Sequence, residues 1–480
     1  MARILLISFL LQMERHDKSA ADQADPLELA GRHPEWSARG PLSTTQRRIA
    51  LCIAILIACC VAIRPMPTLR VLVAATTVFY LLSIAYRLAI AWASRKGGLS
   101  FPKEMLAEQR DWPLYSILVP MYREGATLPG LVAAIRRLDY PAQRLDVQLL
   151  LEADDDETVS AAKAMDLPSF VRVTLVPPSL PRTKPKACNI GLAAAKGDYL
   201  VIYDAEDRPD PDQLKKAVLA FEASGQDVAC VQSALDYHNP RQNLLTRLFT
   251  AEYSAWFDLA LPGLARLGAP IPLGGTSNHF RIEILRSLLG WDAYNVTEDC
   301  DLGVRLARAG YRTLMLDATT WEEACSSLPY WIRQRTRWQK GYIQTFLVHT
   351  RHPLALVRDL GAVNTLHFLL LVGGSIFSSL ANPVFWLMTL AWFLLRSRGI
   401  EALYPAPVFA ASAFCLFVGN FVFFYIGLAG CYRRRHDRII LANILMPFYW
   451  ALMSVSAWRA LAQFLTDPFR WEKTKHGLGN

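Results

Sequence analysis

Hydrophobic and polar positions divide the 480-residue chain into three zones. "IALCIAILIACCVAI" (49–63) and "VLVAATTVFYLLSIAYRLAIAWA" (71–93) carry almost no charge on any helical face, and the same holds for 362–395, 406–430 and 439–465. Between these flanks, from 98 to 358, charge, glycine and proline are interspersed as in a protein that faces water. About 20 apolar residues suffice to cross a bilayer. The flanks therefore read as two transmembrane helices over 49–94 and three or four over 362–465. As one helix, 362–395 would be roughly 50 Å long, too long for a single span. A break is expected near Pro383, giving either two spans or an interfacial helix followed by one. The basic run "RRRHDR" (433–438) favours the second arrangement, Arg396 and Arg398 the first.

In the middle zone the pattern changes to that of strands. "YSILVPMY" (115–122), "VQLLLE" (147–152), "VRVTLVP" (171–177), "YLVIYD" (199–204) and "VACVQS" (228–233) are short apolar runs rich in β-branched residues. Helical runs separate several of them. The best delimited follows Asp210 and Pro211, carries Leu214, Val218 and Phe221 on one face and stops at Gly225, in the order N-cap, N1 proline, C′ glycine. Such alternation predicts an α/β fold: a mainly parallel sheet with flanking helices, binding its ligands at the carboxyl ends of the strands.

Composition adds the membrane. Apolar residues make up 52% and charged residues only 19%, below the usual quarter. The 51 basic and 42 acidic residues leave a net charge of +9, and many of the basic ones border the apolar stretches. That favours membrane orientation over nucleic-acid binding. Arg47 and Arg48 before the first pair of spans, with Arg95 and Lys96 after it, fall on one side, which the positive-inside rule makes cytoplasmic. The middle zone, 98–358, is then a cytoplasmic domain. The nine cysteines form no CxxC pair and read as packing residues in a reducing compartment. "MARILLISFLLQM" has an apolar core too short to span and no small-residue cleavage site, so 1–48 reads as a mobile cytoplasmic tail and 466–480 as a C-terminal one.

Three acidic clusters fall where such a fold holds its ligands. "LLLEADDDET" puts Glu152 at a strand end, with Asp154, Asp155 and Asp156 in the following loop. "YLVIYDAEDRP" puts Asp204 at a strand end, with Glu206 and Asp207 just beyond. "NVTEDCDLG" (295–303) puts Glu298, Asp299 and Asp301 at the start of a helix. Asp-x-Glu leaving a strand projects two carboxylates from one turn, which suits Mg²⁺ or Mn²⁺ gripping a diphosphate. Each cluster also has a plain structural reading: a solvated loop, an acid complementing a helix dipole, or, for Asn295 with Glu298, a capping box. "WIRQRTRWQKGYIQT" (331–345) has the composition of an interfacial helix. Its spacing puts Gln334, Arg337 and Trp338 on one face, suited to a sugar ring and a phosphate.

Taken in order, these segments resemble the membrane-integrated family 2 glycosyltransferases, the group that includes bacterial cellulose and hyaluronan synthases. The resemblance covers about residues 110–350 and the flanking spans. The family pattern is an acidic pair after a strand, then Asp-x-Asp, Thr-Glu-Asp and Gln-x-x-Arg-Trp. Here "DAED" matches with Glu206 in place of the second Asp, "TED" matches at Thr297, Glu298 and Asp299, and "QRTRW" matches at Gln334, Arg337 and Trp338. The first pair departs most, with Glu152 and Ala153 where two Asp are usual. "PRTKPKACN" resembles the family's lysine segment, and "PLGGTSNHF" (272–280) the segment facing the acceptor.

The resemblance implies a GT-A-like domain in the inner (plasma) membrane that transfers sugar, with inversion, from a nucleotide-diphosphate donor, usually a uridine diphosphate sugar, to a growing polysaccharide. Asp204 and Glu206 would hold Mg²⁺ or Mn²⁺, and Glu152, Asp154, Lys184 and Lys186 would lie by the nucleotide. Asp299 would be the general base, with Glu298 shaping the helix start. Gln334, Arg337 and Trp338 would meet diphosphate and acceptor. Two other readings stay open: transfer of one sugar to a lipid-linked acceptor, and a non-catalytic subunit that binds nucleotide sugar. The sequence names no export partner.

Overall fold

The computed structural model describes residues 25–469, so the expectations for 1–24 and for 470–480 lie outside the described residues. The chain divides into two compact units, each taken by itself. The first comprises the described residues up to Arg39, Gly98–His238 and Ile271–Glu323. It holds an eight-stranded sheet in the order β3-β2-β1-β4-β7-β6-β8-β5. These strands are β1 Tyr115–Met121, β2 Leu145–Glu152, β3 Val171–Val176, β4 Tyr199–Ile202, β5 Arg208–Pro209, β6 Val228–Tyr237, β7 Asn278–Arg281 and β8 Arg312–Glu322.

Strands β1 to β4 pair in parallel, as does β6 with β8. Such strands are covered on both faces, and this is why β1 reads as an unbroken apolar run: all of it except Pro120 is buried. The expected mainly parallel sheet with flanking helices is present. It is mixed, because β7 runs antiparallel to both β4 and β6, and β5 antiparallel to β8. Strands β5, β7 and β8 lie outside the five apolar runs.

The helix after β4 begins at Gln213 rather than at Pro211. The Asp210 carboxylate accepts from the Thr319 amide of β8 at 2.8 Å, so it secures the sheet and leaves the helix start to Asp212. Nor is 25–39 a loose tail. Glu28–Arg32 and Pro34–Trp36 are helical, and Ser37 and Ala38 are buried. Ser37 Oγ and the Ala38 amide donate to the Asp292 carboxylate at 2.8 and 2.6 Å, and Asn189 Nδ2 donates to the Pro26 carbonyl at 2.9 Å.

The second unit comprises Gly40–Gly97, Asn239–Pro270 and the chain from Ala324 onward. Among the described residues it has five helices long and apolar enough to cross a membrane: Thr44–Ile63, Pro65–Ala93, Pro353–Leu395, Ala406–Arg433 and Asp437–Thr466. The expected break at Pro383 is absent, since that residue lies inside the helix Gly374–Leu395. The break is at Gly361, whose φ of 75° and ψ of 165° are non-helical and are open to glycine without steric cost. Leu328–His349 forms a further long helix of this unit.

Candidate active site

In the sheet, β1 lies between β2 and β4, so successive connections leave it toward opposite sides. Open α/β sheets bind their ligands at such a switch point, outside the carboxyl ends of the strands. Asp204 stands two residues beyond β4 at that edge, and Arg123 two residues beyond β1. Arg123 holds a left-handed φ of 52°, and its amide donates to Asp155 Oδ2 at 2.5 Å. The adjacent Glu124 amide donates to Thr158 Oγ1 at 3.0 Å. The loops after β1 and β2 are thereby fastened together.

Lys184 opens the helix Lys184–Ala194. Gly191 lets that helix lie close on the sheet, since a Cβ there would come within 2.9 Å of Leu118 and Leu150 side-chain atoms. The Lys184 ammonium pairs with Asp204 and donates to the Gly275 carbonyl at 2.7 Å. Burial works against its charge, yet Asp204 first and Glu298 next hold the proton on it, above the usual lysine range. A Cβ on Gly275 would sit 3.4 Å from Asp299 Oδ2. Asp204, Lys184, Gly275, Glu298 and Asp299 are therefore one neighbourhood, drawn from four separate segments.

The three acids of the Asp299 helix, Glu298–Arg308, fare differently. Asp301 is buried and pairs with Arg305 at 2.8 Å, whose guanidinium also donates to the Leu288 and Gly290 carbonyls at 2.9 and 2.7 Å. Glu298 is buried as well, whereas Asp299 is half-exposed. Asp299 Oδ1 accepts from the Cys300 amide at 2.7 Å. The Asn295–Glu298 capping box does not form: Asn295 Oδ1 turns to the Thr297 amide at 3.0 Å, and the helix has no side-chain cap. Gly303 lets the helix approach the chain before it, because a Cβ there would be 1.9 Å from the Ile271 carbonyl oxygen.

At the position expected to hold a metal, Glu206 is half-exposed in the turn after Asp204. Asp207 is buried and accepts from the Asp204 amide at 2.8 Å and from the Thr276 hydroxyl. Burial, followed by the charges of Asp204 and Glu206, pushes its carboxyl well above the usual range. Glu322, at the end of β8, is pushed up by lost hydration and then by Asp207, Asp204 and Glu206. A group of carboxyls that repel one another around a single ammonium, with Asp207 Oδ1 buried and without a hydrogen-bond partner among the described residues, fits a hard divalent cation. Among the described residues no cluster of three or more His, Cys, Asp or Glu has metal-binding geometry. Two carboxylates would leave the remaining positions of such an ion to phosphate and water, as is usual for Mg²⁺.

Two expected nucleotide contacts are occupied by each other. Lys186 is fully buried, and its ammonium donates to Glu152 at 3.4 Å and to the Pro177 and Ser179 carbonyls at 3.1 Å each. Burial raises the Glu152 pKa, opposed by Lys186. Asp154 pairs with Arg182 at the surface. Sequence reading passed over Arg182, Thr276, Asp207 as a buried anchor and Glu322.

The helix Leu328–His349 belongs to the second unit. Gln334 Oε1 is buried and accepts no hydrogen bond among the described residues. Arg337 and Trp338 are half-buried. The Trp338 ring stacks on Tyr253 with centroids 6.3 Å apart, and the Arg335 guanidinium lies 4.5 Å from its centroid. Arg335 itself pairs with Glu252 at 3.0 Å and donates to Tyr449 Oη at 2.8 Å.

Residues 113–341 match the family described as Glycosyltransferase like family 2. The probable glycosyltransferase YdaM of Bacillus subtilis is 27% identical over 235 residues, 48% of this chain and 56% of the relative. Probable glucomannan 4-beta-mannosyltransferase 1 of Arabidopsis thaliana is 26% identical over 253 residues, 49% of this chain and 44% of the relative. The chain thus matches about half the length of these relatives. The mannosyltransferase PcManGT from Pyrobaculum calidifontis, solved with GDP-Man and Mn²⁺, superposes with a TM-score of 0.50 at 21% identity, covering 83% of this chain and 99% of that one. That likeness is one of fold, and it supports the GT-A-like reading of the sheet.

Proposed function

We propose, because residues 113–341 match glycosyltransferase family 2, that the chain transfers a sugar with inversion from a nucleotide-diphosphate donor to a growing polysaccharide. Asp299 carries the proposal. It is the half-exposed acid of a helix start whose other two acids are buried, and it faces the same glycine turn that receives Lys184. In the proposed reaction the Asp299 carboxylate takes the proton from the attacking acceptor hydroxyl as that oxygen bonds to the anomeric carbon and the diphosphate leaves from the opposite face. Lys184 keeps positive charge beside the Asp204 edge and orients its carboxylate. Asp204 and Glu206 would hold Mg²⁺ or Mn²⁺, which as a Lewis acid stabilises a departing diphosphate. Asp207 fastens the turn between them through the Asp204 amide.

Lys186 and Glu152 act as a buried brace that shapes the nucleotide side of the site, while Asp154 with Arg182 lies at its rim. The orphaned Gln334 Oε1 favours a ligand hydroxyl at the helix Leu328–His349, where Arg337 would meet phosphate and Trp338 the acceptor sugar. Family 2 relatives named as glucomannan mannosyltransferases put a mannose donor first in any panel, ahead of the uridine diphosphate sugars. The domain is proposed to face the cytoplasm from the inner membrane, in keeping with the basic residues around the first two spans.

Radiolabelled-sugar incorporation by purified membranes, run with GDP- and UDP-sugars, Mg²⁺ or Mn²⁺ and a chelator, tests this reading. Chelator-sensitive incorporation from one donor into a high-mass product is expected. A single-sugar lipid product would replace the polysaccharide acceptor, and nucleotide binding without transfer from any donor would contradict the enzyme.

A further inference from the structure

The helix Pro65–Ala93 carries two arginines in an otherwise apolar span, Arg70 near its start and Arg87 about two turns before its end. A charge there is costly and normally finds a partner. Among the described residues the Arg87 guanidinium has no hydrogen bond and no carboxylate; its contact is the Phe423 ring, 4.4 Å from guanidinium carbon to centroid. Arg87 lines an open recess of the second unit. Ser83, one turn earlier on the same helix, lines it too, with Trp256 and Ser378. The two hydroxyls and the indole likewise have no hydrogen-bond partner among the described residues, whereas Tyr86 Oη is engaged with His367 Nδ1 at 3.0 Å. Unpartnered donors therefore gather at one place in the membrane unit.

The rest of the lining is aliphatic, including Leu259 and Leu370, and it contains no carboxylate and no side-chain amide. The Ser83 and Ser378 hydroxyls can accept as well as donate, but the lining has a guanidinium and no carboxylate to balance it, which favours an anion over a neutral sugar. A phosphate oxygen only accepts, and guanidinium pairs with it by charge-assisted hydrogen bonds. We propose that the recess binds the phosphate of an anionic lipid, with Arg87, Ser83 and Ser378 holding the phosphate and the aliphatic wall taking the start of its hydrocarbon chain. Two sources share this chemistry, a bulk glycerophospholipid and a polyprenyl phosphate.

The full chain is reconstituted in phosphatidylcholine nanodiscs, and bound lipid is counted by native mass spectrometry as phosphatidylglycerol, farnesyl phosphate or inorganic phosphate is titrated in. One saturable lipid phosphate per chain is expected, weakened about tenfold or more in Arg87→Gln and partly restored in Arg87→Lys. Whichever lipid displaces the other names the source. The double variant Ser83→Ala/Ser378→Ala keeps the charge and is expected to weaken binding about threefold or more; it serves if Arg87→Gln does not fold. Wild-type affinity in these variants, Arg87-dependent binding of inorganic phosphate alone, or displacement by a neutral oligosaccharide would overturn the proposal.

Discussion

Asp301 and Asp299 are two residues apart and differ in what surrounds them. Asp301 and Arg305 are only 0% and 2% exposed and neutralise each other, so removing one partner strands a charge in a medium that cannot solvate it. Arg305→Met is expected to lower stability by about 3–5 kcal/mol, and the double variant Asp301→Asn/Arg305→Met to regain part of it; thermal melts of the purified protein measure both. Equal melts for single and double variants would contradict the pairing. At this scale the sequence showed which acids stand at the strand ends, Asp204 and Glu206 among them, whereas Lys184 was indicated only by the family resemblance. It did not show that Lys186 faces Glu152, because a pair 34 positions apart is made by the fold and not by spacing. Glu206 and Asp207 are adjacent in the chain yet differ in exposure, and the burial of Asp207 depends on Thr276, almost 70 residues later.

At the scale of elements, strands β1 to β4 were legible because parallel strands covered on both faces are continuous apolar runs. Strand β7, "NHFR", is four residues with one strong apolar side chain, and β8 mixes buried and exposed positions, so neither stands out. Residues 25–39 looked like a tail because few of them are apolar. Their place is fixed by the burial of Leu29 and Ala30 and by polar contacts, chief among them those to Asp292, seven residues before Asp299. Burial first and Asp301 next push the Asp292 carboxyl up to about 6 from 3.8, although Ser37, Ala38 and Tyr294 donate to it. The folded state thus binds a proton more tightly than the unfolded chain. The stabilising contribution is complete below about pH 4 and is lost as pH rises toward 6, by about 3 kcal/mol. The stability gap between wild type and Asp292→Asn is therefore expected to change across this window and to be constant above it, as pH-resolved melts will show. A gap independent of pH would mean that Asp292 titrates as it does in the unfolded chain.

For the whole molecule, the apolar flanks determine where the chemistry takes place. Among the described residues, five helices long and apolar enough to span predict that carbonate-washed membranes retain the chain and that only detergent releases it, as fractionation and blotting would show. The number of C-terminal spans was blurred in the sequence because a glycine, and not the proline, interrupts the longest apolar helix. Glycine and proline both break helices in principle, but proline inside a membrane helix is tolerated where neighbouring groups satisfy the freed carbonyl.

The central claim is that Asp299 is the base of a glycosyl transfer. The most direct measurement compares sugar incorporation and nucleotide affinity for wild type and Asp299→Asn in the same membranes. A loss of incorporation of about 100-fold or more with nucleotide affinity unchanged is the predicted result. Incorporation at the wild-type rate would contradict it.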